Sequence, residues 1–68
     1  MQFQLEGHPF IELNKLLKRL HFVGTGGEAN IRIENGEARV NGVRETRKRK
    51  KLVAGDRVEF GGQIVEIL

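Results

Sequence analysis

The strongest chemical signal in this sequence is a run of five cations, Arg47-Lys48-Arg49-Lys50-Lys51. With Arg39 and Arg44, it gives residues 39–51 seven basic groups against Glu45 alone, a net charge of +6. The other 55 residues carry five basic and eight acidic groups, a net −3. The formal total of +3 therefore hides a separation, a cationic segment set in a mildly acidic body. That pattern suits a protein that grips a polyanion through one surface. Its bland counterpart is a solvated charged loop, because like-charge blocks often simply stay wet. Five adjacent cations repel one another in the free protein, and a phosphate backbone relieves that repulsion.

No comparable case exists for catalysis. Cys and Ser are absent, and the only aliphatic hydroxyls are those of Thr25 and Thr46. That excludes a disulfide framework, a thiolate zinc site and a Ser or Cys nucleophile. The carboxylates are scattered singly, with no pair suited to acid and base work. His8 and His21 lack metal-ligand spacing. Gly24-Thr25-Gly26-Gly27-Glu28-Ala29 matches G-x-G-x-x-A literally. That motif signals a dinucleotide only after a strand, inside a parallel βαβ unit; here it follows a helical pattern. The glycines read as an interhelical turn, in which the N–H groups of Gly26 and Gly27 remain able to donate to a phosphate oxygen. The expectation is a non-enzyme with no cofactor and no metal.

The elements that must position the cations follow from periodicity. Phe3 and Leu5 alternate with Gln2 and Gln4, as in a short first strand. Gly7-His8-Pro9 is a turn, and Pro9 suits the first position of a helix beginning near Phe10. Leu13, Leu16, Leu17 and Leu20 form one apolar stripe, while Lys15, Lys18 and Arg19 fall on another face at the same spacing. Lys18, Arg19 and His21 in the last turn suit the negative end of the helix dipole. Thr25 and Glu28 make a capping box. A second helix is predicted over 26–35, with Ala29 and Ile33 toward the core and Gly36 as a left-handed stop. The period then changes to two. Ala38 and Val40 face inward, Asn41-Gly42 is a hairpin turn, Val43 resumes the apolar face, and the basic run follows as a loop. Gly55-Asp56 and Gly61-Gly62 turn the chain around a strand at Arg57–Phe60, and residues 64–68 form the last strand, with Val65 and Ile67 competing with Ile64 and Leu68 for its buried side.

These elements give an α+β fold, two helices packed on a small antiparallel sheet with a β-hairpin. At 68 residues, the chain has room for one domain, 1–68. No apolar stretch approaches the ~20 residues of a membrane span, and residues 1–7 lack the regions of a signal peptide. The expectation is a soluble, cytoplasmic monomer that does not engage a membrane.

The stretch Leu13–Phe60, about two-thirds of the chain, resembles the S-four-type RNA-binding domain, named for the ribosomal protein that carries it. The resemblance rests on Leu13-Asn14-Lys15-Leu16-Leu17, Glu28-Ala29, Ile33-x-x-Gly36, Val40-Asn41-Gly42 and Gly55-Asp56-x-Val58 in that order and spacing. Glu45-Thr46-Arg47-Lys48-Arg49 is similar to the small stand-alone bacterial members. The resemblance implies an RNA-binding module whose two helices and following hairpin, the αL motif, face RNA. Ribosomal proteins, pseudouridine synthases and tyrosyl-tRNA synthetases carry the domain as an RNA grip, so structured RNA, ribosomal RNA included, is the implied partner. Many members carry basic residues just ahead of the leucine matching Leu13 and just after the alanine matching Ala29. This chain has Glu12 at the first place and Asn30-Ile31 at the second. The RNA contacts therefore fall to Lys15, Lys18, Arg19, Arg39, Asn41, Arg44, Arg47, Lys48, Arg49, Lys50 and Lys51.

With no Tyr or Trp, and with all four Phe at core positions or element ends, binding should run through phosphates and RNA shape rather than base stacking. Asn41, at the hairpin tip, should reach a groove edge or a 2′-OH. Lys15, Lys18, Arg39 and the basic loop should share one face. The competing readings are a protein-interaction module whose basic loop docks on an acidic partner, and a non-specific DNA binder.

Overall fold

The computed structural model describes all 68 residues, Met1–Leu68. In chain order the elements are β1 Gln2–Phe3, β2 Ile11–Glu12, α1 Leu13–Arg19, α2 Gly26–Glu34, β3 Ala38–Val40, β4 Val43–Glu45, β5 Lys51–Leu52, β6 Arg57–Phe60 and β7 Gln63–Ile67. Five strands form one sheet in the order β1-β7-β6-β3-β4, and β2 and β5 form a separate two-stranded sheet. The α+β architecture is as the periodicity predicts, but the large sheet is mixed. β1 runs parallel to β7, pairing Gln2 with Glu66 and Phe3 with Ile67, and all other strand pairs are antiparallel.

One face of the large sheet carries the core. Ala38, Val40, Val58, Phe60, Val65 and Ile67 are buried with Leu13, Leu16 and Leu17 of α1 and Ala29 and Ile33 of α2. The register settles the last strand: Val58 pairs with Val65 across β6 and β7, so Val65 and Ile67 point inward while Ile64 and Leu68 stay exposed. The alternating residues Arg39, Arg57, Glu59, Ile64 and Glu66 occupy the outer face. There Arg39 lies opposite Glu59, and Arg57 opposite Glu66.

Both helices end alike. At the end of α1, the His21 N–H donates to the Lys18 carbonyl and the Phe22 N–H to that of Leu17, with His21 at φ 60°. At the end of α2, the Gly36 N–H donates to the Ile33 carbonyl and the Glu37 N–H to that of Arg32, with Gly36 at φ 82°. Each is a Schellman motif, with a left-handed residue just beyond the last turn. His21 therefore terminates α1 from outside rather than belonging to its last turn. The Arg44 side chain lies across Gly36, where an added Cβ would come within 2.8 Å of its Cδ. The left-handed backbone is what favours glycine there; the Arg44 chain itself is flexible and can move aside.

The start of α2 follows the capping box, with one change. Thr25 Oγ1 accepts from the Glu28 N–H at 3.1 Å, and Glu28 Oε1 accepts from the N–H of Gly24, not of Thr25, at 2.9 Å. The start of α1 is three residues later than periodicity suggests, and Pro9 is not in the helix. Ile11-Glu12 is drawn into an antiparallel ladder with Lys51-Leu52, which holds Glu12 extended at φ −74°, ψ 144°. Leu52 is fully buried. Burying that leucine stabilises the ladder by roughly 1.5–3 kcal/mol, enough to outweigh one more helical turn.

Candidate nucleic-acid interface

The basic run is not a slack loop. Its main chain is tied to the body at three points. At the entry, the Glu45 carboxylate, buried at 9% exposure, holds Arg47 in a fork. Oε2 accepts from the Arg47 backbone N–H and from Nε, each at 2.9 Å, and Oε1 accepts from Nη2 at 3.0 Å. In the middle, the Lys48 carbonyl accepts from the Asn14 N–H at 3.0 Å and the Lys50 carbonyl from the Leu13 N–H at 2.9 Å. These are the first two N–H groups of α1, which no carbonyl within the helix can reach, and Glu12 offers no side-chain cap. At the exit, β5 pairs with β2 and seats Leu52 in the core. Within the turn, the Lys50 N–H donates to the Arg47 carbonyl at 3.1 Å.

The Arg47 fork, aided by that residue's backbone N–H and by the nearby charges of Arg47 and Lys50, holds the Glu45 carboxyl at a pKa of about 2, against the opposing effect of burial. The same carboxylate raises the pKa of the Arg47 guanidinium. Arg47 is thus a paired cation, although its side chain remains 72% exposed. Lys48 Nζ stands 3.9 Å from Glu34 Oε2 of α2, a loose contact. Arg49 is exposed and has no intramolecular ion pair. Lys51 Nζ rests 4.9 Å from the centroid of the Phe10 ring.

The other expected contact residues fall into two further groups. Lys15, Lys18 and Arg19 are exposed on α1, and Lys15 pairs with Glu12 at 3.2 Å. The N-terminus of α1 carries the basic turn, so these two groups are joined through the helix itself. Arg39 and Arg44 form the third group, opposite one another on the β3–β4 hairpin. Arg39 does not share a face with Lys15 and Lys18. Its neighbours Ala38 and Val40 point into the core beneath the helices, so alternation puts Arg39 on the outer side of the sheet.

Asn41 also differs from expectation. It adopts φ 54° and Gly42 φ 82°, as a type I′ turn requires. Its side chain, however, turns back into the molecule. Nδ2 donates to Asp56 Oδ1 at 3.0 Å, and Oδ1 accepts from the Arg57 N–H at 2.9 Å. Asp56 Oδ2 in turn accepts from the Val53 N–H. Asn41 therefore stitches the hairpin tip to the β5–β6 turn rather than offering its amide outward. Val43 is 69% exposed instead of continuing the apolar face, because β4 is the outermost strand; Glu45 takes the inward position at its far end.

Two residues that sequence reasoning passed over matter here. Glu45 organises the turn. The available signal was that it is the one carboxylate within residues 39–51, two positions before Arg47. Phe10, assigned to an element end, is exposed beside the cations. No local signal marks it, because the β2–β5 ladder holds the chain just after Phe10 out of the helix. No three His, Asp or Glu side chains converge as a metal site, and no helix is long and apolar enough to cross a membrane.

Two helices packed on a sheet, with a hairpin after them, match the frame that the resemblance to S-four-type RNA-binding domains implies. The chain belongs to the S4 domain family, whose model matches residues 3–68. It is 44% identical over 66 residues to the Escherichia coli (strain K12) protein named "Putative RNA-binding protein YbcJ", an alignment covering 97% of this chain and 94% of that one. The same figures hold for "Uncharacterized protein YbcJ" of Shigella flexneri. The solution structure of YbcJ from E. coli, described as revealing an "ALFAL motif involved in RNA-binding", is similar at a TM-score of 0.74 and 43% identity, covering 98% of this chain and 85% of that one.

Proposed function

We propose that this protein is a non-catalytic RNA-binding protein that grips structured RNA through the Arg47–Lys51 turn and the exposed cations of α1, with ribosomal RNA the first target to test. One observation carries the reading: the main chain of the turn is bonded inward, to Glu45 and to the first N–H groups of α1, so its side chains project from a fixed frame. A row of cations held in place loses less conformational freedom on binding than a slack one. Membership of the S4 domain family and the RNA-binding descriptions of its relatives support the same reading. The cations of the turn crowd the positive end of α1, an arrangement unfavourable in the free protein and relieved by phosphate. Lysines there act as point charges, whereas Arg49 can fork onto a phosphate.

The test is salt dependence. With about four phosphates neutralised, log K for a structured RNA should fall with log salt at a slope near −3 to −4. Replacing Lys48, Arg49 and Lys50 together by Ala, with Arg47 left in its fork on Glu45, should flatten that slope while circular dichroism stays unchanged. An unchanged slope removes the turn from the mechanism. Equal affinity for DNA of the same sequence would mark a non-specific polyanion binder. Recovery with ribosomes that survives nuclease treatment would mark an acidic protein partner instead.

A further inference from the structure

The chain arm from Phe3 to Phe10 stands away from α1 and leaves a groove of about 490 Å³, within the roughly 300–1,000 Å³ range of ligand sites. The arm is held by a tight turn, in which the His8 N–H donates to the Leu5 carbonyl at 3.1 Å, with Glu6 at φ 53° and Gly7 at φ 89°. Phe10 and Ile11 line the groove with Glu6 and Glu12 on the arm side, and Lys15 and Arg19 line it on the helix side, where Lys15 is paired with Glu12 at 3.2 Å and Arg19 has no ion pair. Phe10 is the exposed member of the four phenylalanines. Phe60 is buried, Phe22 stacks on Phe60 at 6.2 Å, and Phe3 is packed against the core. The ammonium of Lys51 already sits over the Phe10 ring, which connects the groove to the basic turn.

From this we infer that the groove is a seat for one unpaired nucleotide of the bound RNA, its base stacked on Phe10 and its flanking phosphates held by Lys15, Arg19 and Lys51. This rests on the RNA-binding reading and deepens it. The pieces fit a nucleotide and not a bare polyanion or an acidic peptide. A flat π face is useful to a base, and the cations at its two ends, Lys15 and Arg19 on the helix wall and Lys51 over the ring, are useful to the phosphates on either side of it. Lys51 is a mobile point charge on a long stem. When a base takes the ring face, its ammonium is free to move onto the adjacent phosphate, keeping its charge paired. The result is a domain that clamps the RNA backbone with the turn and selects a bulge, loop or end with the groove.

The chain has no Trp and no Tyr, so Phe10→Trp installs a single indole at the site. Titration with a single-stranded oligoribonucleotide should quench its fluorescence, and an abasic strand of the same length and charge should not. In the unaltered protein, the Phe10 ring protons should shift upfield with the base-bearing strand alone. Phe10→Ala should weaken binding of the single strand about tenfold and leave binding of a fully paired duplex unchanged. Quenching by the abasic strand to the same extent, or full single-strand affinity in Phe10→Ala, overturns the stacking seat while leaving the phosphate clamp in place. Failure of any RNA to bind the unaltered protein overturns both.

Discussion

The molecule has two polar turns a few residues apart, Asn41-Gly42 and Arg47–Lys50, that use their side chains differently. At Asn41-Gly42 the backbone is left-handed, and the Asn41 side chain turns inward to Asp56 and Arg57 beside its own N–H, which donates to the Arg57 carbonyl at 2.7 Å. At Arg47–Lys50 the backbone faces inward, its carbonyls closing the first turn of α1, and the side chains of Arg47 and Arg49 are exposed while Lys48 and Lys50 are half-buried. The first turn uses its polar groups to join elements of the fold. The second frees its charges by anchoring its main chain. The difference lies in the side chains: that of Asn41 is spent on internal bonds, whereas beyond Arg47 the basic turn is held by its main chain and leaves Arg49 free.

That contrast can be broken by mutation. Asn41→Ala removes a donor and an acceptor from the joint between hairpin and β5–β6 turn, and puts a residue less tolerant of φ > 0 in its place. It should cost about 1–3 kcal/mol in denaturant unfolding and leave RNA affinity unchanged. A large affinity loss without destabilisation would make Asn41 a contact residue after all. Glu45→Gln tests the other turn with a smaller effect. Removing an anion from a cationic surface should tighten RNA binding if only net charge mattered. If the fork positions the turn, affinity should fall a few-fold instead.

Glu45 also carries a pH signature. Its pKa is depressed to about 2 from 4.5, so its contribution is fully present above the unfolded value and is lost as acid protonates it in the folded state. The stability gap between the unaltered protein and Glu45→Gln should therefore hold at neutral pH and close between about pH 5 and about pH 2. A gap that stays constant over this window would disprove the fork's ionic role. The smallest effect belongs to Arg49→Ala. It should leave thermal stability unchanged and reduce the steepness of the salt dependence by about one, the mark of a single lost phosphate contact.

Much of this was legible in the residues, where the deciding interactions are local. Thr25 and Glu28, Ala29 and Ile33, Gly36, and the backbone turn at Asn41-Gly42 all act within a few positions of one another and stand where the pattern puts them. The larger failures come from pairing with distant sequence; the local ones are His21, which closes α1 from outside, and the Glu45–Arg47 fork. Pro9 predicts an early helix, but Ile11-Glu12 is claimed by Lys51-Leu52 some forty positions away. Val43 has the type and spacing of a core residue, but its exposure depends on β4 being the last strand of the sheet. The charge separation pointed to the basic turn, yet only the folded arrangement divides its cations from Arg39 and Arg44. It also shows that Arg47 already has a partner in Glu45.

The parallel contact of β1 with β7 has a kinetic meaning. The Glu66 N–H donates to the Met1 carbonyl, the Leu68 N–H to that of Phe3, and the Leu5 N–H to that of Leu68. Bringing such remote segments together incurs the largest loop-closure entropy in the chain. This seam should zip last, after the helices and hairpins have formed. Deuterium uptake at the amides of Leu5, Glu66 and Leu68 would then separate a fully assembled molecule from one that has every helix but an open border.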